Sequence, residues 1–202
     1  MRDTDVRIAV REMLNAEHKA DGGTRIVEEM GVWNGSVRVD LAVINGELAG
    51  YEIKSAKDTL TRLPNQAALY NEVFDRVYLV AAEKHISHAR SYIPKWWGII
   101  SARPLADTIS LEIIRSGKIN PRINPTQLAR LLWRDEAIAV LDKHAAAKGV
   151  RSETREKVIS RLIATLPLND LRDEVRSCLK ARPTWLGQPV RDQRDMSVRG
   201  EA

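Results

Sequence analysis

Val37-Arg38-Val39-Asp40-Leu41-Ala42-Val43-Ile44, an Asn45-Gly46 pair, and then Leu48-Ala49-Gly50-Tyr51-Glu52-Ile53-Lys54 form the stretch whose reading decides the fold. The two apolar, β-branched runs read as strands, and Asn-Gly between them marks a hairpin because both residues tolerate the positive φ of tight turns. Side chains alternate along a strand, so Glu52 and Lys54 share one face while Ile53 points into the opposite layer. Asp40 joins them only if the hairpin has even parity. A two-residue loop pairs residue 40 with residue 51 and turns Asp40 away. A three-residue loop with Gly46 left-handed, or an irregularity near Gly50, brings Asp40 and Glu52 to one face.

Upstream, residues 4–18 place Val6, Ile8, Ala9, Val10, Met13 and Leu14 at helical spacing, with Thr4 or Asp5 as N-cap and Gly22-Gly23 as the stop. A short run, Thr24-Arg25-Ile26-Val27, follows as a strand. Downstream, Pro64 suits a first helical turn, and Gln66, Leu69, Tyr70, Val73 and Phe74 continue at helical spacing. Arg76 to Ala82 reads as a buried strand, Glu83 to Tyr92 as a short helix, and Trp97 to Ser101 and Thr108 to Ile114 as two more strands. After Pro121 and Pro125 the periodicity is helical throughout: Leu128, Leu131, Leu132 and Ile138; Val158, Ile159, Leu162 and Ile163; Leu171, Val175 and Leu179. The expectation is an α/β core over 1–120, a mixed sheet flanked by helices. A helical subdomain over 121–182 and a loose tail over 183–202 complete it.

A length of 202 residues suits one such domain with an appendage, and 44% hydrophobic with 29% charged residues excludes a disordered or fibrous chain. No apolar run reaches the roughly 18 residues of a membrane span, and the first residues lack a signal segment, so a cytoplasmic protein without membrane contact is expected. Cys178 is the single cysteine, which excludes an intrachain disulfide and a cysteine-rich zinc site; a small buried hydrophobe is its expected role. Charge is uneven. Residues 1–114 hold 14 Lys+Arg against 16 Asp+Glu, and residues 115–202 hold 18 against 11. An acidic half can hold a cation, and a basic half attracts phosphates.

Phosphodiester hydrolysis needs a hard cation to neutralise the phosphate and activate water, and such ions take carboxylate and carbonyl oxygens. Asp40 and Glu52 supply the carboxylates, and Lys54 places an ammonium beside them. Together with the preceding helix, the Asp-bearing hairpin and the helix that follows, this pattern resembles the PD-(D/E)XK nuclease superfamily; Val39 replaces the proline of the family name. Gln66-Ala67-Ala68-Leu69-Tyr70 resembles the Gln-x-x-x-Tyr motif of the exonuclease-like branch related to RecB. Arg38-x-Asp40, Glu52 to Ser55, Asp58-x-Leu60-x-Arg62-Leu63 and Trp96-Trp97-Gly98 resemble an uncharacterised bacterial and phage family within it.

The resemblance implies a restriction-endonuclease-like fold and a Mg²⁺- or Mn²⁺-dependent nuclease. Asp40, Glu52 and the Ile53 carbonyl would be metal ligands, Lys54 catalytic, and Gln66 and Tyr70 substrate-positioning. A further carboxylate from the first helix is implied, for which Glu12 is the candidate and Glu17 and Glu29 are rivals. The partner is nucleic acid, DNA before RNA, in a phage, repair or defence setting. A non-catalytic nucleic-acid-binding module, or a protein-interaction or oligomer-forming component using the C-terminal helices, stands as the alternative.

Other features read more plainly. Glu-x-Lys recurs at Glu17-His18-Lys19, so the tripeptide needs its context. His85 and His88 lack a third placed ligand for zinc. Trp96, Trp97 and Trp133 are expected in the core rather than stacking on bases. Arg151, Arg155, Lys157 and Arg161 form either a phosphate-contacting helical edge or a solvated face.

Overall fold

A computed structural model describes residues 2–32, 35, 37–106, 108–185 and 188–189. Helix α1 (Asp3–Glu17) buries the Val6, Val10 and Leu14 stripe, and Asp3 and Asp5 lie in its first turn, where the exposed N–H groups favour anions. Six strands follow: β1 (Arg25–Val32), β2 (Val37–Ile44), β3 (Leu48–Lys54), β4 (Arg76–Ala82), β5 (Gly98–Leu105) and β6 (Thr108–Arg115). They lie in chain order in one open mixed sheet, β3, β4 and β5 parallel and the outer pairs antiparallel. Parallel neighbours need crossovers, and α2 (Leu63–Tyr70) and α3 (Glu83–Ala89) supply them. Strand β3 is buried at every position because helices cover both of its faces.

Two apolar layers result. On one face α1 packs Val6, Val10 and Leu14 onto Leu41, Val43, Tyr51, Ile53, Val80 and Ile100. On the other, Leu63, Ala67 and Tyr70 of α2 join Ala42, Ile44, Leu79 and Ile99. That second cluster runs without a break into α4 (Pro125–Ala129), α5 (Arg134–Lys143), α6 (Arg155–Thr165) and α7 (Leu168–Ala181). Arg172 and Arg176 of α7 clasp the buried Asp75 at 3.1 and 3.2 Å, and Asp75 also accepts from the Leu48 N–H. Among the described residues no helix is long and apolar enough to cross a membrane.

Most elements fall where the sequence pattern puts them, and the exceptions have identifiable causes. Strand β1 runs on to Val32, past the expected Val27, because pairing with β2 continues to Val32↔Val37. A short ladder of β7 (Thr184–Trp185) and β8 (Gln188–Pro189) appears where no strand pattern exists; most of the expected loose tail lies outside the described residues.

The β2–β3 loop has three residues, Asn45 to Glu47, since Ile44 pairs with Leu48. The expected left-handed Gly46 is not found. Instead the Asn45 side chain accepts from the Glu47 N–H at 2.8 Å and closes the turn itself. The parity is even, so the register carried one step past Leu41↔Tyr51 leads to Asp40 and Glu52. Pairing stops there. Glu29, whose place in the register with β2 is opposite Asp40, has φ +52°, and both strands change face together: Val27 and Ala42 share a layer with Met30 and Val39, although each pair of positions is an odd step apart.

Candidate active site

The break at Asp40 builds the site. Where the β2–β3 ladder ends, the Asp40 carboxylate replaces the missing main-chain partner, Oδ2 accepting from the Ile53 N–H at 2.7 Å. Its Oδ1 accepts from Arg7 Nη2 of α1 at 2.8 Å, and Arg7 Nη1 donates to the Asp40 carbonyl at 3.1 Å. Arg7 also pairs with Glu29 at 2.8 Å and Asp3 at 3.3 Å. A left-handed glutamate costs on the order of 1–3 kcal/mol and persists only where its surroundings over-determine it. Here the strained residue delivers its carboxylate to Arg7.

Glu52, 2% exposed, is the centre of the second half. Its Oε1 accepts from Lys54 Nζ and from Gln66 Nε2, each at 2.5 Å. The Tyr70 hydroxyl lies 2.8 Å from Glu52 Oε2 and 2.8 Å from the Arg38 carbonyl, donating to one at a time. Gln66 and Tyr70 reach the same carboxylate because four residues bring the chain back to one helical face. Tyr70 is at once core and site, fully buried, edge-on to Phe74 and stacked near Trp97.

The electrostatics follow from burying like charges. Burial, and then the Glu52 charge, push the Asp40 carboxyl up to about 7, against the opposing effects of the Ile53 N–H, Arg7 and Lys54. Burial opposes the charge of Arg7 too, but Asp40, Asp3 and Glu29 together more than offset it and hold the guanidinium charged. Burial, followed by Glu52, raises the Tyr70 phenol, which therefore stays a neutral donor.

The donor set fits a hard divalent ion. Asp40 and Glu52 each keep acceptor capacity beyond the bonds they make, since an ionised carboxylate has about four lone-pair sites. Gln66 Oε1 is buried without a hydrogen-bond partner, an acceptor waiting for a water or ligand proton. Among the described residues no three His, Cys, Asp or Glu side chains gather as a ready ion site. Mg²⁺ does not require that, because it is commonly held by one or two carboxylates with waters and phosphate oxygens filling the rest.

The structure thus brings together Asp40, Glu52, Lys54, Gln66 and Tyr70, with Ile53 between the two carboxylates. Glu12 is not brought in: it is exposed, five residues along α1 from Arg7 and so on another side of the helix. Glu17, at the exposed end of α1, is not brought in either. Glu29 reaches the site through Arg7. The sequence reading missed Arg7; its one visible signal is the place of a cation beside the buried Val6–Val10–Leu14 stripe and four residues after Asp3.

The other candidates lie elsewhere in the fold. His85 Nε2 lies 3.1 Å from the Ser55 carbonyl and His88 pairs with Tyr92, so the two share no ion. Trp97 is buried, but Trp133, expected in the core, is 47% exposed beneath the Arg182 guanidinium at 4.4 Å. On the basic edge Arg151 pairs with Asp142, Lys157 with Glu153, and Arg155 donates to the Arg130 and Leu132 carbonyls; Arg151, Lys157 and Arg161 are exposed. Cys178 is half-buried, its thiol pushed up to about 11 by burial.

A solved protein of unknown function from Silicibacter pomeroyi aligns with 69% of this chain and 91% of its own, at 22% identity and a TM-score of 0.39. Protein cII of Enterobacteria phage P4 is 29% identical over 182 residues, which cover 90% of this chain and 68% of that protein. The pattern of the bacteriophage P4 protein cII family matches residues 1–186, nearly the whole chain, and the chain therefore belongs to that family.

Proposed function

We propose that this phage-related protein is a Mg²⁺- or Mn²⁺-dependent nuclease, and that the sheet with its flanking helices is a restriction-endonuclease-like core. One observation carries the reading: the buried Glu52 carboxylate gathers Lys54, Gln66 and Tyr70 while its charge bears on Asp40, across a strand break. Each acid has a base of the protein beside it, Arg7 on Asp40 and Lys54 on Glu52, which leaves the repulsion between the two acids in place. Two carboxylates that repel each other beside an orphaned amide oxygen are the arrangement a hard cation relieves.

Asp40 and Glu52, with the Ile53 carbonyl, would hold the ion. When bound, it supplies charge neutralisation at the scissile phosphate and makes water more acidic. Gln66 and Tyr70 fix the Glu52 rotamer. Lys54, beside Glu52 Oε1, orients the attacking water and stabilises the charge that grows on the phosphate. Exposed Arg38, Lys57 and Arg62 sit on the same segments as Asp40, Lys54 and Gln66, and suit the flanking phosphates of a strand.

The test is incubation of labelled single- and double-stranded DNA and RNA, linear and circular, with Mg²⁺, Mn²⁺ or EDTA. Metal-dependent cutting is expected, abolished in Asp40→Ala and Glu52→Ala with the fold retained by circular dichroism. Lys54→Ala should lose turnover more than metal binding. Undiminished cleavage in both carboxylate variants would refute the assignment. A second reading, a non-catalytic nucleic-acid-binding module, is favoured by the guanidinium already seated on Asp40. Binding that survives EDTA, without cutting in Mn²⁺, would select it.

A further inference from the structure

The carboxylate assigned above to a divalent ion is already held by a cation of the protein itself. Arg7 meets Asp40 twice, at Oδ1 and at the main-chain carbonyl, and is only 18% exposed. A guanidinium cannot be neutralised in the physiological range and carries its donors in a rigid fork, so it is a persistent rival for any ion that needs the same oxygen. Its remaining contacts matter as much. Nη1 lies 2.8 Å from Glu29 Oε1, and Nε and Nη2 lie 3.4 and 3.3 Å from Asp3 Oδ2. Leaving Asp40 therefore does not leave the guanidinium unpaired. Two other acids already hold it, one of them placed by the left-handed backbone at Glu29.

We infer that Arg7 is a built-in competitor for the cation seat, closing it when it rests on Asp40 and opening it by moving onto Asp3 and Glu29. The inference rests on Asp40 being a cation ligand. The unpartnered Gln66 Oε1 beside Glu52 fits a closed form that lacks a donor the open form would admit. Ion entry and the Arg7 shift are then one equilibrium, and the affinity of the seat is set by how firmly α1 keeps its arginine on β2.

The experiment is Mn²⁺ binding to the full chain at pH 8, followed by electron paramagnetic resonance, for wild type, Arg7→Gln, Arg7→Lys, Asp40→Asn and the Arg7→Gln/Asp40→Asn double variant. Removing a charge-assisted competitor should tighten Mn²⁺ by about tenfold or more in Arg7→Gln. Arg7→Lys should fall between, and Asp40→Asn should cancel the gain. Equal affinity in wild type and Arg7→Gln, with both weakened by Asp40→Asn, overturns the competitor and leaves the seat standing. Mn²⁺ binding that ignores Asp40, or none in any variant, overturns the seat and the competitor together. If Arg7→Gln fails to fold, the wild type decides through the Arg7 Nε–H resonance during a Mg²⁺ titration. A shift that tracks ion binding supports the exchange, and a resonance unmoved at saturation overturns it.

Discussion

Replacing Asp40 by Asn should make the metal-free protein more stable at pH 8. An asparagine oxygen still accepts from the Ile53 N–H, so the strand break keeps its bond, while the charge facing Glu52 disappears. The folded-state pKa of Asp40 is raised from 3.8 to about 7, so the folded chain holds that proton more tightly than the unfolded chain. Stability from the proton is fully present below 3.8 and lost as pH rises through about 7. At about 1.4 kcal/mol per tenfold, ionised Asp40 costs at most on the order of 4 kcal/mol at pH 8. That figure is already net of the Arg7 attraction, but an asparagine has one acceptor oxygen only, so with Ile53 satisfied its amide nitrogen faces Arg7 Nη2, a donor against a donor, which takes back about 1.5–3 kcal/mol. The net gain is about 1–2 kcal/mol at pH 8 and should fall by on the order of 2 kcal/mol by about pH 5. Urea unfolding in EDTA across that range, wild type beside variant, cancels the titration of groups remote from Asp40. Parallel pH dependences in the two proteins would refute the reasoning. Saturating Mg²⁺ should stabilise wild type and not the variant, by linkage to a ligand bound only in the folded state.

Three further outcomes follow from the same geometry. Tyr70→Phe keeps the ring contacts with Phe74 and Trp97 but removes the donor shared by Glu52 and the Arg38 carbonyl, and should cost about 1–3 kcal/mol by urea denaturation. Gly98→Ala would set a Cβ 2.2 Å from the Tyr78 ring and 2.9 Å from the Gly117 nitrogen, so it should destabilise by about 3 kcal/mol or expel Tyr78 from its stack on Tyr51, visible in near-ultraviolet circular dichroism. Neutralising Arg38 and Lys57 together should weaken DNA binding in Ca²⁺ across sequences and lower the salt slope by about 2, measured by fluorescence anisotropy.

The alternation of β2 and β3, the Asn-Gly turn and Pro64 made the hairpin and α2 legible, because those signals are local. They also aligned Glu52 with Lys54, and the four-residue step aligned Gln66 with Tyr70. The loop length was decided by something less visible, the Asn45 side chain closing a turn that Gly46 alone would have left open to two readings. The break across Glu29 and Asp40 was not legible at all. Both strands shift together, so the hydrophobic pattern of each stays plausible on either side of the kink. Arg7 escaped for a related reason. A cation beside an apolar helical stripe looks like a solvated flank until the facing strand supplies Asp40 and Glu29. Trp133 was misplaced because its partner is Arg182, 49 positions later in the chain and outside any periodic pattern.

The central claim is that Asp40 and Glu52 form one seat for a hard divalent ion. Crystals grown in Mn²⁺, with data collected for anomalous scattering, address it directly. The account predicts a peak within about 2.0–2.4 Å of oxygens from both carboxylates, with the Arg7 guanidinium withdrawn toward Asp3 and Glu29. A map in which Arg7 stays on Asp40 and manganese is absent from that pair, at concentrations that support cleavage, would contradict it.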